Sequence, residues 1–193
     1  MSYVTDRFDE RVVELLQNGG VGLLPSDTIY GLSCRALDQT AVEKVHRLKD
    51  RDAGKPFIDL ISDIKMLDLL SISKDQAEAV AKYWPGPLSV ILPAPDSPEW
   101  LHRGTKTLAI RLPGYPKLQD LIRKVGPIIS TSANLQGQPP VNNVKQARTI
   151  FGEDLDFYVD VGPLDNPPST LAVIRNGELA AVRQGAVKIN EEE

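Results

Sequence analysis

Apolar residues in the first part of the chain recur at two spacings, which predict helices alternating with strands. Between positions 6 and 18 they lie three or four residues apart, a spacing that predicts a helix ended by a Gly-Gly pair. The apolar run 21–24, closed by a proline, predicts a buried strand. Thr40 and Glu43 form a capping box, which predicts a helix that begins at residue 39 or 40 and ends just before Lys49.

The same spacings continue to the end of the chain, where a hairpin signal appears. Apolar runs predict strands at 57–61, 88–92, 107–112, 127–130 and 157–161, and helical spacings predict helices at 64–70, 73–84, 117–125 and 143–151. Asn176-Gly177 separates the apolar runs 170–175 and 178–183, and this pair favours the type I′ turn of a β-hairpin. The pattern therefore predicts an α/β fold with a twisted mixed β-sheet, packed helices and a C-terminal hairpin.

Length and composition fit one globular domain. The chain has 193 residues, of which 41% are hydrophobic and 25% are charged, so it can bury a core of ordinary size. We expect a single domain over 1–193, with a core from about 6 to 188 and a frayed acidic tail at 189–193.

Charge and cysteine content narrow the class of protein. A formal net charge of −4 provides no overall attraction for a phosphate backbone, so any nucleic-acid contact must be local. Cys34 is the single cysteine, which excludes an intramolecular disulfide and a Cys-rich zinc site, and we expect its thiol to be buried. The chain has neither an apolar signal core at its N-terminus nor an apolar run near the roughly 18 residues of a membrane span, so we expect a cytoplasmic protein without membrane contact.

A cationic pair lies at the exit of the helix predicted before Lys49. Lys49 and Arg51 combine a mobile point charge with a planar fork, a pairing that suits phosphate or carboxylate oxygens. A solvated helix end, whose cations complement the negative helix terminus, is the alternative interpretation. Metal binding by Asp50 or Asp52 is a further alternative.

Uncharged polar side chains follow the apolar run 127–130. Ser132 and Asn134 offer hydroxyl and amide groups that could hold a phosphate or nucleoside by directed hydrogen bonds. The same residue types favour caps and turns, which is the alternative. The chain has no Gly-rich run ending in Gly-Lys-Ser/Thr and no Gly-x-Gly-x-x-Gly after a strand, so the common nucleotide-binding folds are disfavoured.

Arg111 ends an apolar predicted strand, where an arginine needs an anionic partner or access to water. Recognition of a ligand carboxylate and a structural salt bridge are both compatible with this position. His46 and His102 fit no metal-ligand or nucleophilic-triad pattern, and we expect both at the surface.

Taken together and in order, six motifs resemble those of the threonylcarbamoyl-adenylate synthases, the YrdC and Sua5 family of tRNA modification. They are Pro-Ser-Asp-Thr-Ile-Tyr-Gly-Leu, Lys-Asp-Arg, Trp-Pro-Gly-Pro-Leu, Ala-Ile-Arg-Leu-Pro, Ser-Ala-Asn, and the closing Pro-Ser-Thr-Leu with Val-Arg-Gln-Gly-Ala. The likeness runs from about Gly20 to Val187. The chain resembles the short YrdC type, which lacks the extra C-terminal domain of Sua5 proteins.

The resemblance implies a YrdC-like open α/β fold and an ATP-dependent nucleotidyltransferase. In the family reaction L-threonine, bicarbonate and ATP give threonylcarbamoyl-AMP and pyrophosphate. The activated group later passes, through tRNA-threonylcarbamoyl-transferase proteins, to adenosine 37 of tRNA. Mg²⁺ would accompany the ATP phosphates, held largely by them and by water, so no protein metal ligands are expected.

The resemblance also implies roles for individual residues. Lys49 and Arg51 would be the catalytic pair and would bind ATP. Three further residues would hold the nucleotide, and three would bind threonine. The nucleotide residues are Ser132, Asn134 and Arg183, and the threonine residues are Thr28, Arg111 and Ser169.

Two departures from the family pattern concern loops. Asp52 stands where the family often has proline, and Gln184 replaces the proline of the commoner Arg-Pro-Gly. Related proteins of obscure function lack both Lys-x-Arg and Ser-x-Asn, and this chain has both, which favours the synthase.

Two other functions stay open at this point. One is a nonenzymatic protein of the same fold that binds structured RNA or assists ribosome assembly, although the acidic charge balance disfavours it. The other is an adenylate-forming enzyme that acts on a different amino acid.

Overall fold

A computed structural model of the chain describes residues 1–49 and 56–189. Within these ranges the chain forms ten strands, which are β1 (Tyr3–Thr5), β2 (Gly22–Pro25), β3 (Tyr30–Arg35), β4 (Ile58–Leu60), β5 (Leu88–Pro93), β6 (Thr107–Arg111), β7 (Ile128–Ser132), β8 (Phe157–Val159), β9 (Thr170–Arg175) and β10 (Glu178–Arg183). They form one sheet in the order β1-β8-β2-β3-β7-β4-β6-β5-β9-β10.

The sheet is mixed, as the sequence predicted. β4 runs parallel to β6 and β5 parallel to β9, whereas β3 and β4 both run antiparallel to β7, which lies between them. The closing hairpin is also confirmed: β9 pairs antiparallel with β10, and Asn176 and Gly177 have φ values of 52° and 83°, as a type I′ turn requires.

Helices cover both faces of the sheet. The α-helices in the described ranges are α1 (Glu10–Gln17), α2 (Gln39–Lys49), α3 (Glu99–His102), α4 (Pro116–Val125) and α5 (Val144–Phe151), and 3₁₀ segments cover Ile64–Leu70, Lys74–Tyr83 and Gly152–Asp154. Apolar residues of α1 and α4 form one core with Leu24, Leu60 and Ile128 of the sheet. Apolar residues of α2, α5 and the two longer 3₁₀ segments form a larger core on the other face.

One central strand, β3, was not predicted. Its first five residues are buried, and it pairs with β2 and β7 on its two sides. Glycine and serine within the strand interrupt the apolar run from which a buried strand is predicted. The short elements β1 and α3 were also missed.

Several local predictions need correction. Asp38, not Thr40, caps α2, because the Asp38 carboxylate accepts a hydrogen bond from the Ala41 amide at 3.0 Å. The helix predicted at 73–84 is a 3₁₀ segment, and Ser73 makes no side-chain cap bond to it. Ile189 was assigned to the frayed tail but is buried in the larger core. The rest of that tail lies outside the described residues.

Both histidines are buried, so the prediction that they lie at the surface is wrong. His46 stacks on Phe57 with ring centroids 4.1 Å apart. His102 accepts a hydrogen bond from the Gly104 amide through Nδ1 at 3.0 Å. His46 faces inward because α2 packs against the sheet. The prediction for Cys34 is confirmed, since its thiol is buried.

Asp59 is a buried acid in the middle of the sheet. It belongs to β4, between β6 and β7, and is 1% exposed. Its Oδ1 has no hydrogen-bond partner among the described residues. Burial raises the pKa of the Asp59 carboxyl well above its ordinary value. The protonated form is therefore favoured in the folded protein, and ionisation of Asp59 in the unfolded chain opposes folding.

Asp59→Asn should stabilise the protein increasingly as the pH rises. Because the pKa is raised in the folded state, wild-type stability is fully retained below the unfolded pKa near 4 and falls as pH rises towards the folded pKa. In that range the free energy of unfolding of the wild type falls by about 1.4 kcal/mol per pH unit. Asparagine does not ionise, so the free energy of unfolding of the variant lacks this contribution. Urea unfolding at pH 4, 5.5 and 7 should show a growing advantage for the variant. A difference that does not change with pH would contradict this account.

Candidate functional site

A polar cleft of about 260 Å³ opens where β3, β6, β7 and β9 approach the turn that follows β2. Five of the predicted site residues line it, namely Thr28, Arg111, Ser132, Ser169 and Arg183. Sheet pairing brings them together from distant parts of the chain: Gly31 of β3 is opposite Ser132 of β7, and Arg111 of β6 is opposite Leu60 of β4. The rest of the wall is largely apolar and includes Ile29, Tyr30, Pro56, Phe57, Ile58, Ala109, Pro140, Pro168 and Leu171.

Arg111 is a buried cation that faces this cleft. Only 3% of the residue is exposed, and Nη1 donates a long hydrogen bond of 3.3 Å to Thr28 Oγ1. Nη2 lies 3.4 Å from Asp27 Oδ1, and Nε has no hydrogen-bond partner within the part of the chain that the structure describes. Burial lowers the pKa of the Arg111 guanidinium, and the charge of Asp27 opposes that shift. The salt bridge exists, yet it leaves donors of a buried cation unused.

A tight turn after β2 presents Thr28 to Arg111. The Ser26 hydroxyl donates to the Ile29 carbonyl at 2.8 Å and accepts from the Thr28 amide at 3.2 Å. The two hydroxyls of Ser26 and Thr28 are 3.0 Å apart. Thr28 is thereby held in place, with its hydroxyl beside the guanidinium.

Ser169 and Arg183 approach the cleft from the edge hairpin. Arg183 Nη2 donates to the Ser169 carbonyl at 3.0 Å, and the hydroxyls of Ser169 and Ser89 are 3.0 Å apart. The chain beyond β10 packs so closely that a Cβ on Gly185 would lie 2.3 Å from the Pro168 carbonyl oxygen. Glycine at this position therefore lets the segment after Arg183 lie against the backbone that carries Ser169.

Lys49 connects helix α2 to the end of β7. Its ammonium group donates to the Ser132 and Asn134 carbonyls at 2.5 and 3.0 Å and to Asn134 Oδ1 at 3.0 Å. Only 3% of Lys49 is exposed, so the interpretation of Lys49 as part of a solvated helix end is wrong. The lysine supplies a buried positive charge beside the cleft.

Ser132 and Asn134 form an ordered turn. The Ser132 hydroxyl donates to Asn134 Oδ1 at 2.6 Å, and Asn134 Nδ2 donates to the carbonyls of Leu135 and Gln138 at 2.8 and 2.7 Å. Ser132 is the last residue of β7 and not a loop residue, because that strand extends two residues beyond the predicted one. Ser132 therefore belongs to the strand and Asn134 to the bend that follows it, and nucleotide binding by these residues stays a prediction.

The structure brings together seven of the eight predicted site residues. Lys49 and Asn134 join the five cleft-lining residues through Ser132, which they contact. Arg51, with Asp50 and Asp52, lies outside the described residues. The structure adds Asp27, Ser26 and Ser89, whose side chains support the predicted ones.

The sequence pointed to two of these three supporting residues. Ser26 and Asp27 stand in the same motif as Thr28, Pro-Ser-Asp-Thr-Ile-Tyr-Gly-Leu, but no role was assigned to them. Ser89 is an isolated serine in an apolar strand, and nothing local connects it with Ser169.

Residues 1–49 and 56–189 contain neither a cluster of metal ligands nor a membrane-spanning helix. No group of three or more His, Cys, Asp or Glu residues there could hold a metal ion. No helix in those ranges has both the length and the apolar character needed to cross a membrane.

Comparisons with known proteins agree with the fold and the motifs. The family model for Sua5, YciO and YrdC proteins, described as "Telomere recombination", matches residues 14–185. A protein of Alkalilimnicola ehrlichii named threonylcarbamoyl-AMP synthase is 37% identical over 171 residues, which cover 86% of this chain and 90% of that protein.

Two solved structures share the fold over nearly the whole chain. P. abyssi Sua5 complexed with L-threonine has a TM-score of 0.84 and 28% identity, over 96% of this chain and 57% of the longer Sua5 chain. E. coli YciO has a TM-score of 0.82 and 25% identity, over 97% of this chain and 98% of its own. The family match over most of the chain, the relative of similar length and the shared fold together establish that this chain belongs to the Sua5, YciO and YrdC family.

Proposed function

We propose that this chain is an L-threonylcarbamoyladenylate synthase, which makes threonylcarbamoyl-AMP from L-threonine, bicarbonate and ATP and releases pyrophosphate. The observation that carries the proposal is Arg111, a buried cation with unused donors at the wall of a polar cleft. Relatives that bear the synthase name and the threonine complex of P. abyssi Sua5 support it.

The Arg111 end of the cleft suits an amino acid. An unpaired buried donor costs about 1 to 3 kcal/mol, and a ligand carboxylate that accepts from the guanidinium would remove that cost. The hydroxyls of Thr28 and Ser169 line the same cavity and can both donate and accept. Threonine, with a carboxylate and a hydroxyl, matches this set of groups.

The group around Lys49 suits the phosphates of ATP. Lys49, Ser132 and Asn134 are already connected by hydrogen bonds, and Ser132 and Arg183 both line the cleft. At least three protein oxygens accept hydrogen bonds from Lys49, and a phosphate oxygen would exchange with one of its present partners. Arg51 follows two residues later and is the second proposed phosphate ligand.

The proposed chemistry needs positioning and charge neutralisation more than covalent help. Bicarbonate takes up a proton and gives carbon dioxide and water. The threonine amine bonds to the carbon dioxide and loses a proton, which leaves a carbamate. A carbamate oxygen then bonds to the α-phosphorus while the bond from that phosphorus to the pyrophosphate oxygen breaks. Arg111 would hold the amino-acid carboxylate, and Lys49 and Arg51 would balance charge on the phosphates.

We propose that Mg²⁺ accompanies ATP at this site. The described residues provide no group of three or more metal ligands, so phosphate oxygens and water would supply most of its coordination. When bound, it would screen the phosphate charges.

The proposed product would serve the first step of tRNA modification. Threonylcarbamoyl-AMP is a mixed anhydride and so an activated donor. A transferase protein would then pass the threonylcarbamoyl group to adenosine 37 of tRNA. We propose a cytoplasmic location, where tRNA and ATP are both available.

Product formation tests the proposed function directly. Purified protein incubated with L-threonine, bicarbonate, Mg²⁺ and ATP should release pyrophosphate and form a species with the mass of threonylcarbamoyl-AMP. Omission of any one substrate should abolish that mass. Folded protein that yields no such product with all components present would refute the proposal.

Removal of either proposed phosphate cation should slow turnover strongly. Lys49→Ala and Arg51→Ala are each expected to lower kcat by about 10² or more, the scale for the loss of a preorganised transition-state donor. Lys145→Ala removes an exposed lysine of α5 as a matched control and should leave turnover unchanged. Turnover near the wild-type rate in Lys49→Ala would remove Lys49 from the catalytic pair.

Competition among amino acids tests the choice of threonine. Serine should compete about tenfold or more weakly, because one lost methyl group in a pocket is worth roughly 1 to 3 kcal/mol. Valine should compete more weakly still, because it leaves the hydroxyls of the cleft without a partner. The inhibition constants of serine and of valine are both measured from the inhibition of threonine-dependent pyrophosphate release. Tighter binding of valine or serine than of threonine would indicate a different amino-acid substrate.

A further inference from the structure

Asp27 lies behind Arg111 and connects two loops of the site. Its Oδ2 accepts a hydrogen bond from the Gly114 amide at 2.8 Å, which ties the turn after β2 to the loop between β6 and α4. Its Oδ1 lies 3.4 Å from Arg111 Nη2. The side chain is 9% exposed and is not part of the cleft lining, so Asp27 can affect a ligand only through Arg111.

Arg111 depends on Asp27 for its charge balance. Burial and the nearby cation Arg183 both lower the pKa of Arg111, and Asp27 is the acid that raises it. Without the Asp27 carboxylate, Arg111 would lose its ion-pair partner. The unfavourable effect of the nearby Arg183 on its charge would then no longer be offset. A buried cation without a counter-charge is strongly disfavoured, so its side chain would move towards water.

The geometry leaves the rest of the guanidinium for a ligand. The bond from Gly114 fixes the Asp27 carboxylate on the Nη2 side of Arg111. Nε has no hydrogen-bond partner among the described residues, and the one bond of Nη1, to Thr28, is long. Asp27 therefore balances the charge without using the donors that a ligand carboxylate needs.

We propose that Asp27 is a positioning residue, which holds the Arg111 guanidinium in the orientation that binds the carboxylate of the amino-acid substrate. The inference rests on the proposed function and assigns a role to a residue that does not touch substrate. It requires that the effect of Asp27 be confined to ligands that carry a carboxylate.

Asp27→Asn separates the charge of this residue from its hydrogen bond. The asparagine carbonyl can still accept from Gly114, but the counter-charge is lost. We expect the Kd for L-threonine, measured by calorimetry, to rise about tenfold or more, the scale of one charge-assisted hydrogen bond. In turnover, KM for threonine should rise by a similar factor while kcat changes less than about twofold. Binding of L-threoninol, which lacks the carboxylate, should be unchanged.

Asp63→Asn is the matched control. Asp63 also accepts a hydrogen bond from a backbone amide, that of Lys65 at 2.7 Å, but it is exposed and does not line the cleft. This variant should bind threonine as the wild type does. Equal weakening of threonine by the two variants, or equal weakening of threonine and threoninol by Asp27→Asn, would overturn the proposed role of Asp27.

The outcomes also separate this inference from the proposed function. If wild-type protein forms threonylcarbamoyl-AMP and Asp27→Asn binds threonine normally, the function stands and the positioning role fails. If wild-type protein binds no threonine and forms no product, the proposed function itself fails. Should Asp27→Asn not fold, Asp27→Glu, which displaces the carboxylate by one methylene, is compared in the same way. Selective weakening of threonine over threoninol supports the role, and equal effects overturn it.

Discussion

A buried arginine needs an anion, and this requirement organises the cleft. Arg111 lies at the end of a central strand, where packing on both sides removes it from water. One carboxylate, that of Asp27, balances its charge from behind at a distance of 3.4 Å. The hydrogen-bonding capacity left over is available to a ligand, because a group that is costly to bury and only partly paired would bind an incoming carboxylate more favourably than a solvated one.

The second cation of the site is arranged differently. Lys49 uses its ammonium group to hold the end of β7 and the turn that carries Asn134. Its charge is thus fixed next to the cleft, and contact with a ligand would require exchange of one bond for another. The site thereby combines a partly paired arginine in the cleft wall with a lysine that is bonded to Ser132 of the same wall. Such an arrangement suits a reaction between two anions, each of which needs its own positive partner.

The sheet also contains a buried acid that has no role in the proposed chemistry. Asp59 occupies the strand next to Arg111, and its burial works against folding at neutral pH. Arg111 and Asp59 are both ionisable groups that are removed from water, and each avoids an unpaired buried charge in a different way. Arg111 remains a cation because a counter-ion lies beside it, whereas the raised pKa of Asp59 favours its neutral form because no such partner is present among the described residues.

Sequence alone determined most elements, because periodic apolar spacing, the Asn-Gly turn and clusters of turn residues act within a few positions of one another. It also identified the polar segments that converge in the cleft. Strand β3, the buried state of Lys49 and His46, and the pairing of Asp27 with Arg111 were decided only by the tertiary structure. The physical reason is that desolvation and long-range pairing depend on which segments become neighbours. A short window of sequence therefore shows that a side chain is polar, but not whether water, a counter-ion or a backbone carbonyl will surround it.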